Sequence, residues 1–164
     1  MNATLCRTDR VFITGASSGI GAALAREYAA RGASLGLLAR RRPLLEELAA
    51  SLPHPERHRI YAADVTDHAA LAAAAADFIA AKGGADIVIA SAGISHGTLT
   101  ERPADLAVFD AVFATNVNAT VATFAPFIDT MKTQQGPCRL VGIGSVAGHG
   151  CIDVAGDDGH HLDI

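Results

Sequence analysis

The order in which strand-like and helix-like segments follow one another limits the fold more than any other feature of this sequence. Short aliphatic runs alternate with longer segments in which apolar residues recur at helical spacing, and Gly, Pro or Asp residues separate them. The short runs predict strands at residues 11–14, 34–38, 59–62, 86–90 and 139–143. The longer segments predict helices at residues 20–31, 43–51, 67–82 and 105–132, the last interrupted around Thr115 and Asn116.

Most of the predicted strands are apolar throughout rather than alternating. This is typical of a parallel sheet that helices cover on both faces. With right-handed crossovers, the pattern predicts a Rossmann-like, doubly wound α/β fold with five strands in the order 3-2-1-4-5. Ligands of such sheets bind beyond the carboxyl ends of the strands, so the segments that follow the strands are where function is expected.

Size and charge exclude several classes of protein. The chain has 164 residues, of which 50% are hydrophobic, and a net charge of −4, which suits one soluble domain and gives no basic surface for nucleic acid. The three cysteines, Cys6, Cys138 and Cys151, form no CxxC pair, as expected for a reduced, cytoplasmic protein. The N-terminus has no apolar signal segment and the apolar runs are short, so we expect neither export nor membrane insertion.

The segment TGASSGIG, residues 14–21, follows the first predicted strand and opens the first predicted helix. Gly15 would allow a sharp turn, Gly19 would let the backbone approach a pyrophosphate, and Gly21 would let the helix pack closely on the sheet. A P-loop is excluded because no Lys-Ser or Lys-Thr follows the last glycine. The predicted phosphate-binding residues are Thr14, Gly15, Ser17, Ser18, Gly19, Ile20 and Gly21.

The same segment has a simpler interpretation. It could be a glycine-rich turn in which Ser17 or Ser18 only caps the helix. The strand before it and the helix after it favour the dinucleotide interpretation.

The end of the second predicted strand carries Arg40, where a dinucleotide-binding fold usually places the residue that contacts the adenosine ribose. A carboxylate at this position would favour NAD, whereas a guanidinium can pair with the additional phosphate of NADP. We therefore expect NADP to be preferred over NAD. The alternative is a solvated run of charges, which is how Arg41 and Arg42 are interpreted.

The glycine spacing resembles the cofactor motif of the short-chain dehydrogenases/reductases. Asp64 and Val65, after the third predicted strand, resemble the pair with which that family contacts adenine. The segment Ala90-Ser91-Ala92-Gly93 stands where the family has Asn-Asn-Ala-Gly on the nicotinamide side of the cleft, although Ala90 and Ser91 replace the two asparagines. The resemblance implies that Ser91, Ala92 and Gly93 contact the cofactor.

Two further matches resemble the catalytic residues of the family. Asn116 matches the asparagine that helps to hold a proton-relay water, and Ser145 matches the serine that hydrogen-bonds the substrate oxygen. The resemblance covers about residues 10 to 150. It implies an oxidoreductase that transfers hydride between NAD(P) and a small alcohol or carbonyl compound. Each of these residues also has a simpler interpretation when taken alone: Asp64 could be no more than the end of a strand, and Asn116 no more than a helix cap or kink.

The resemblance also implies a catalytic Tyr thirteen residues after Ser145 and a Lys four residues later, but those positions hold Asp158 and Leu162. The two tyrosines of the chain, Tyr28 and Tyr61, have no Lys at that spacing. We therefore expect this chain to be inactive. The alternatives are a nucleotide-binding domain without catalysis and a non-functional fragment of a truncated or frame-shifted gene.

The C-terminal residues differ from the rest of the chain. Residues 1–150 are predicted to form the dinucleotide-binding domain, and residues 151–164, rich in Asp and His, a disordered, aberrant tail. A metal site is the weaker interpretation of this tail because the adjacent histidines have no positioned third ligand. Its candidate ligands would be Asp158, His160, His161 and Asp163.

The resemblance implies that relatives have two further strands. It also implies that relatives are homo-oligomers, which associate through helices corresponding to residues 105–132. Without those strands, residues 139–143 would form an exposed sheet edge. We expect poor solubility or promiscuous association.

Overall fold

The computed structural model describes residues 9–96 and 102–145 and contains one five-stranded parallel sheet. Its order is β3-β2-β1-β4-β5, which confirms the predicted topology. The strands are β1 (Arg10–Thr14), β2 (Ser34–Ala39), β3 (Arg59–Ala62), β4 (Ile87–Ala90) and β5 (Arg139–Gly142). Each lies within one residue, at either end, of the strand that the sequence predicts.

The helices cover both faces of the sheet and are α1 (Gly19–Ala30), α2 (Arg42–Ser51), α3 (His68–Lys82), α4 (Leu106–Phe113) and α5 (Ala119–Thr133). Short 3-10 turns occupy Pro55–Arg57 and Pro103–Asp105. The interruption predicted around Thr115 and Asn116 is a π-helical turn, Ala114–Asn118, so α4 and α5 form one continuous helical run.

Alternate residues of β1 contribute to the two faces of the sheet. Val11 and Ile13 pack in the core beneath α1 and α2, whereas Phe12 packs in the core beneath α3 and α5. The Phe12 ring lies 5.5 Å from that of Phe78 and 5.0 Å from that of Phe127, measured between centroids. Such tilted and edge-to-face contacts between fully buried rings fix the distance between the helices and the sheet.

An ion pair stabilises the amino end of the sheet. Arg10 Nη2 lies 2.7 Å from Oδ1 of Asp86, a residue that is 2% exposed, and the hydrogen bond to Asp86 raises the pKa of Arg10. Gln134, just after α5, donates from Nε2 to the Ala85 carbonyl at 2.7 Å and accepts from Arg10. These contacts join β1, the segment before β4 and the end of α5, and leave the opposite end of the sheet for a ligand.

The outer face of the last helical run is apolar. The run Leu106–Thr133 is long and apolar enough to cross a membrane by length and composition, although Ala119, Thr123 and Phe127 are buried against the protein core. Helices that pack on a soluble core pass the same test, so one such helix is weak evidence for a membrane span.

Candidate functional site

A cleft of about 490 Å³ lies beyond the carboxyl ends of β1 to β4. This volume is in the range of small-molecule and cofactor sites. Twelve of the residues predicted from the sequence line it: Gly15, Ser17, Ser18, Gly19, Ile20, Gly21, Arg40, Asp64, Val65, Ser91, Ala92 and Gly93.

The three glycines at the junction of β1 and α1 have different surroundings. Gly15 has a φ of +67°, and a Cβ there would lie 2.8 Å from the backbone of Ala92. A Cβ on Gly21 would collide with the Gly15 carbonyl, whereas one on Gly19 would meet no atom within 4 Å. Gly15 therefore allows the loop to pack closely on the segment after β4, Gly21 allows the first turn of α1 to pack closely on the loop, and Gly19 borders open space in the cleft.

The serines of the loop do not cap α1 in the usual way. Ser18 occupies the N-cap position with an extended backbone, but its side chain makes no hydrogen bond to the first turn of the helix. Instead, Ser17 Oγ and Ser18 Oγ accept hydrogen bonds of 3.1 and 3.0 Å from Nη2 of Arg41. The first turn of α1 thus keeps its unpaired amides and its partial positive charge next to the cleft.

Arg40 and Asp64 lie next to each other in the cleft lining, after the neighbouring strands β2 and β3, with Arg40 Nη1 3.7 Å from Asp64 Oδ2. Asp64 Oδ1 accepts from the backbone amide of Thr66 at 2.9 Å and from its hydroxyl at 2.8 Å. The hydrogen bond from the Thr66 amide does most to lower the pKa of Asp64, with smaller contributions from the Thr66 hydroxyl and Arg40. Asp64 is therefore a carboxylate at neutral pH.

Thr14 is fully buried and does not line the cleft. Its Oγ1 accepts from the backbone amides of Ser91 and Ala92 at 3.3 and 3.4 Å. Thr14 therefore connects the end of β1 to the segment after β4 and does not face the cleft.

Asn116 lies in the π-helical turn, and its side-chain amide forms two hydrogen bonds with the backbone of Ile94. Asn116 Oδ1 accepts from the Ile94 amide and Nδ2 donates to the Ile94 carbonyl, each at 2.9 Å. π-Helical turns inside α-helices are frequent at functional sites. Here the turn brings Asn116 to the segment after β4 and places its neighbour Thr115 in the cleft lining.

Ser145 is exposed, follows β5 and is the last residue that the structure describes before the C-terminal segment. Within the described part of the chain, it lies outside the cleft lining. The predicted tail and its candidate metal ligands, Asp158, His160, His161 and Asp163, fall outside the described residues. Residues 9–96 and 102–145 contain no cluster of three or more His, Cys, Asp or Glu side chains that could hold a metal ion.

Sequence reasoning missed five residues of the cleft lining. Ala39 and Ala63 could have been found, because each directly follows a predicted strand. Arg41 was interpreted as solvated, and its contact with serines more than twenty residues earlier has no signal in the local sequence. The full set of missed residues is Ala39, Arg41, Ala63, Ile94 and Thr115.

Neither tyrosine of the chain lines the cleft. The Tyr61 hydroxyl donates to Oδ2 of Asp77, a residue of α3, at 2.7 Å, and burial together with this bond raises the pKa of Tyr61. Tyr28 packs against the core beneath α1 and α2.

Comparison with known proteins identifies the family. The family model described as short chain dehydrogenase matches residues 9–155. The chain belongs to this family. An uncharacterized oxidoreductase of Mycobacterium tuberculosis is 38% identical over 143 residues, which are 85% of this chain and 56% of that protein. The chain thus spans about half the length of the curated relatives it matches.

Solved structures of the short-chain dehydrogenase family share the fold. The L-sorbose reductase of Gluconobacter frateurii, in complex with NADPH and L-sorbose, has a TM-score of 0.72 and 31% identity, over 79% of this chain and 49% of that chain. The 3-ketoacyl-(acyl-carrier-protein) reductase of Brucella melitensis, in complex with NADH, has a TM-score of 0.69 and 27% identity, over 76% and 50%. Both nicotinamide cofactors therefore occur among its relatives.

Proposed function

We propose that residues 1–150 form the cofactor-binding domain of an oxidoreductase that uses NADP in preference to NAD and acts on a small alcohol or carbonyl compound. The observation that carries this proposal is the cleft, in which a glycine-rich loop, a helix N-terminus and arginines after β2 lie together. The apolar and small residues of its floor suit the flat rings of a dinucleotide, and the amides of α1 suit its phosphates.

The residues present fit such a cofactor. Gly19 leaves open space where a pyrophosphate would approach α1, and Asp64 offers an ionised acceptor where adenine would lie. Ser91, Ala92 and Gly93 would border the nicotinamide, which supplies hydride exchange when it is bound. Asn116 would hold the segment after β4 in place, and Ser145 would hydrogen-bond the substrate oxygen.

We further expect this chain not to turn over substrate. The family mechanism needs a phenol that exchanges a proton with the substrate oxygen, and Asp158 and Leu162 occupy the positions of its Tyr and Lys. Tyr61 does not compensate, because its hydroxyl is bound to Asp77 and its pKa is raised rather than lowered. The chain would thus be a nucleotide-binding domain without catalysis, located in the cytoplasm, with small molecules rather than nucleic acid or membranes as partners.

The experiment that tests the proposal is a titration of the purified chain with NADPH and, in parallel, with NADH. The chain contains no Trp, so the fluorescence of the reduced cofactor can be followed without that background. Saturable binding with a lower Kd for NADPH supports the proposal. Binding of neither cofactor would contradict it and favour a non-functional fragment, and turnover of any ketone in a broad panel would contradict the expected lack of catalysis.

A further inference from the structure

Three cationic side chains come together at the amino end of the sheet, and none of them lines the cleft. Arg57 lies in the 3-10 turn before β3, Arg59 is the first residue of β3 and Lys82 is the last residue of α3. Arg59 reaches α3 directly, since its Nη1 lies 3.1 Å from Oδ2 of Asp77. His58, between the two arginines, has an extended backbone, and in an extended chain side chains two positions apart lie on the same face.

The charges of these side chains act on one another. Burial lowers the pKa of Lys82, and the guanidinium groups of Arg59 and Arg57 lower it further. Burial also lowers the pKa of His58, and Lys82 adds to that shift. A cation lowers the pKa of a second cationic group when it lies close enough to repel its charge. Arg57, Arg59 and Lys82 therefore share one patch of surface, which we call the basic cluster.

Nearby carboxylates do not neutralise the basic cluster. Asp77 pairs with Arg59, and Glu56 lies 3.9 Å from Nε of Arg57, at the limit of an ion pair. Lys82 is partly buried, and within residues 9–96 and 102–145 no carboxylate lies at ion-pair distance from its ammonium group. Three cations beside two carboxylates leave this patch positive at neutral pH, although the whole chain has a net charge of −4.

The carbonyl groups at the end of α3 already have a donor. The last carbonyls of a helix carry a partial negative charge, which disfavours an anion. Arg10 Nη1 donates to the carbonyls of Lys82 and Gly83, so these groups are satisfied and do not face the basic cluster unpaired. Ammonium and guanidinium groups donate to sulfate and phosphate oxygens in short, charge-assisted hydrogen bonds.

We infer that the basic cluster binds a dianionic sulfate or phosphate group, with Lys82 as its principal contact and Arg57 and Arg59 as further donors. This site goes beyond the proposed function, because it lies at the opposite end of the sheet from the cofactor cleft. An anion bound there uses none of the residues of the cleft and does not compete with NADPH. Two of the three cations are partly offset by carboxylates, so we expect millimolar affinity.

The test is a titration of the isotope-labelled chain with sodium sulfate, followed in the amide proton–nitrogen correlation spectrum. Sodium chloride at equal ionic strength controls for screening. We expect saturable shifts of the amides of residues 56–60 and 80–84. Glycerol phosphate is titrated in parallel: tighter binding than sulfate would show that the site takes the phosphate group of a larger molecule, weaker binding that it takes a free anion, and either supports the inference.

Variants of Lys82 show whether its charge carries the binding. Lys82→Gln is expected to raise the Kd for sulfate about threefold or more, whereas Lys82→Arg keeps the charge and is expected to change the Kd by less than about twofold. Lys132→Gln is the matched control, because Lys132 also lies in the last turn of a helix but pairs with Asp129. It is expected to leave the Kd within about twofold of the wild type.

Three results would overturn the inference. Saturable shifts confined to the cleft would place the sulfate in the cofactor site, shifts equal to those with chloride would indicate an adventitious ion only, and an unchanged Kd in Lys82→Gln would remove the principal contact. Circular dichroism spectra show whether each variant keeps its helices, and Lys82→Arg separates lost charge from lost folding. A chain that binds sulfate at the basic cluster but neither NADPH nor NADH would support the inference and contradict the proposed function.

Discussion

Gly19 and Gly21 lie two residues apart in the first turn of α1, and a methyl group added at each would meet different surroundings. At Gly19 it would project into the open cleft, although its φ of +53° costs a non-glycine residue on the order of 1–2 kcal/mol. Gly19→Ala is therefore expected to keep the fold with a small loss of stability and to weaken NADPH binding about tenfold or more, since the methyl group blocks the approach of the phosphates.

Gly21→Ala is the matched comparison, because the methyl group would overlap the backbone carbonyl of Gly15. Backbone cannot move aside as a flexible side chain can, so we expect a larger loss of stability, on the order of 1–3 kcal/mol or more. Urea unfolding measures the stability of each variant and NADPH titration measures binding. A Gly19→Ala chain that binds NADPH as well as the wild type does would contradict the role assigned to Gly19.

Asn116 is the side chain that holds the segment after β4. Asn116→Ala removes both hydrogen bonds to Ile94. Because these bonds are exposed and water can replace them in part, we expect the free energy of unfolding to fall by only about 1–2 kcal/mol. Cofactor affinity should fall as well, since Gly93 and Ile94 line the cleft.

Asn116→Asp is the informative control for this position. The aspartate keeps an acceptor for the Ile94 amide but turns a second oxygen toward the Ile94 carbonyl, so it should not restore the stability of the wild type. Unfolding by urea measures both variants. Wild-type stability in Asn116→Ala would show that the two bonds contribute nothing.

The contact of Arg41 with Ser17 and Ser18 is a side-chain contact that sequence patterns do not predict. Arg40 and Asp64 could be assigned to the cleft because they follow strands, and strand ends meet at one edge of a parallel sheet. The direction of the Arg41 side chain depends on how the β1–α1 and β2–α2 loops pack against each other, which no local spacing encodes.

At the level of elements, His58 links β2 to the segment before β3. Its Nδ1 accepts from the Leu35 amide at 3.3 Å while Nε2 contacts the Pro53 carbonyl at 2.9 Å, an arrangement that requires a neutral ring with its proton on Nε2. Burial lowers the pKa of His58; the Pro53 carbonyl opposes this shift, and Lys82 adds to it. Protonation therefore costs more in the folded chain than in the unfolded one.

The sign of the pH effect follows from this lowered pKa. His58 favours the folded state fully above the ordinary histidine pKa of about 6.5, and this contribution is lost as the pH falls below that value toward the lowered pKa of the folded state. We expect His58→Asn, which keeps an acceptor but does not titrate, to flatten the fall in stability between about pH 7 and pH 5. Parallel urea unfolding curves for the two chains across that range measure the difference, and identical pH profiles would show that His58 does not contribute.

The strands and helices could be predicted well, because their sequence patterns differ. An apolar run of four or five residues indicates a buried strand, whereas an apolar residue at every third or fourth position indicates a helix. The five strands and the topology came from that difference together with the handedness of the crossovers. The break at Asn116 was predicted, but its form was not. Whether a helix ends or widens into a π turn depends on tertiary bonds such as those from Asn116 to Ile94.

At the level of the whole molecule, the described residues have a well-stabilised side and an open side. The cores beneath α1 and α2 and beneath α3 and α5 are tightly packed around β1, β2 and β4. On the other side, β5 is an edge strand of the described sheet. Leu140 within this strand and Ile143 directly after it are exposed. Composition predicted a chain able to build a sizeable core, but it could not show that apolar residues would be distributed so unevenly.

The exposed apolar residues of the last helical run recur every three or four positions, apart from one longer step, and we call them the outer stripe. They are Leu106, Phe109, Phe113, Val117, Val121 and Ile128. A contiguous stripe of this length on a chain of this size favours association in water. We therefore expect the isolated chain to self-associate in a concentration-dependent way.

Val121→Glu tests this expectation, because Val121 is 66% exposed and its replacement has no core contact to break. One buried charge at an apolar contact is unfavourable, so the variant should be more monomeric than the wild type at equal concentration. Ala72→Glu adds the same charge at an exposed position of α3 away from the outer stripe, and it should associate as the wild type does. Sedimentation velocity over a concentration series measures all three chains, and a wild-type chain that stays monomeric throughout would show that the outer stripe does not drive association.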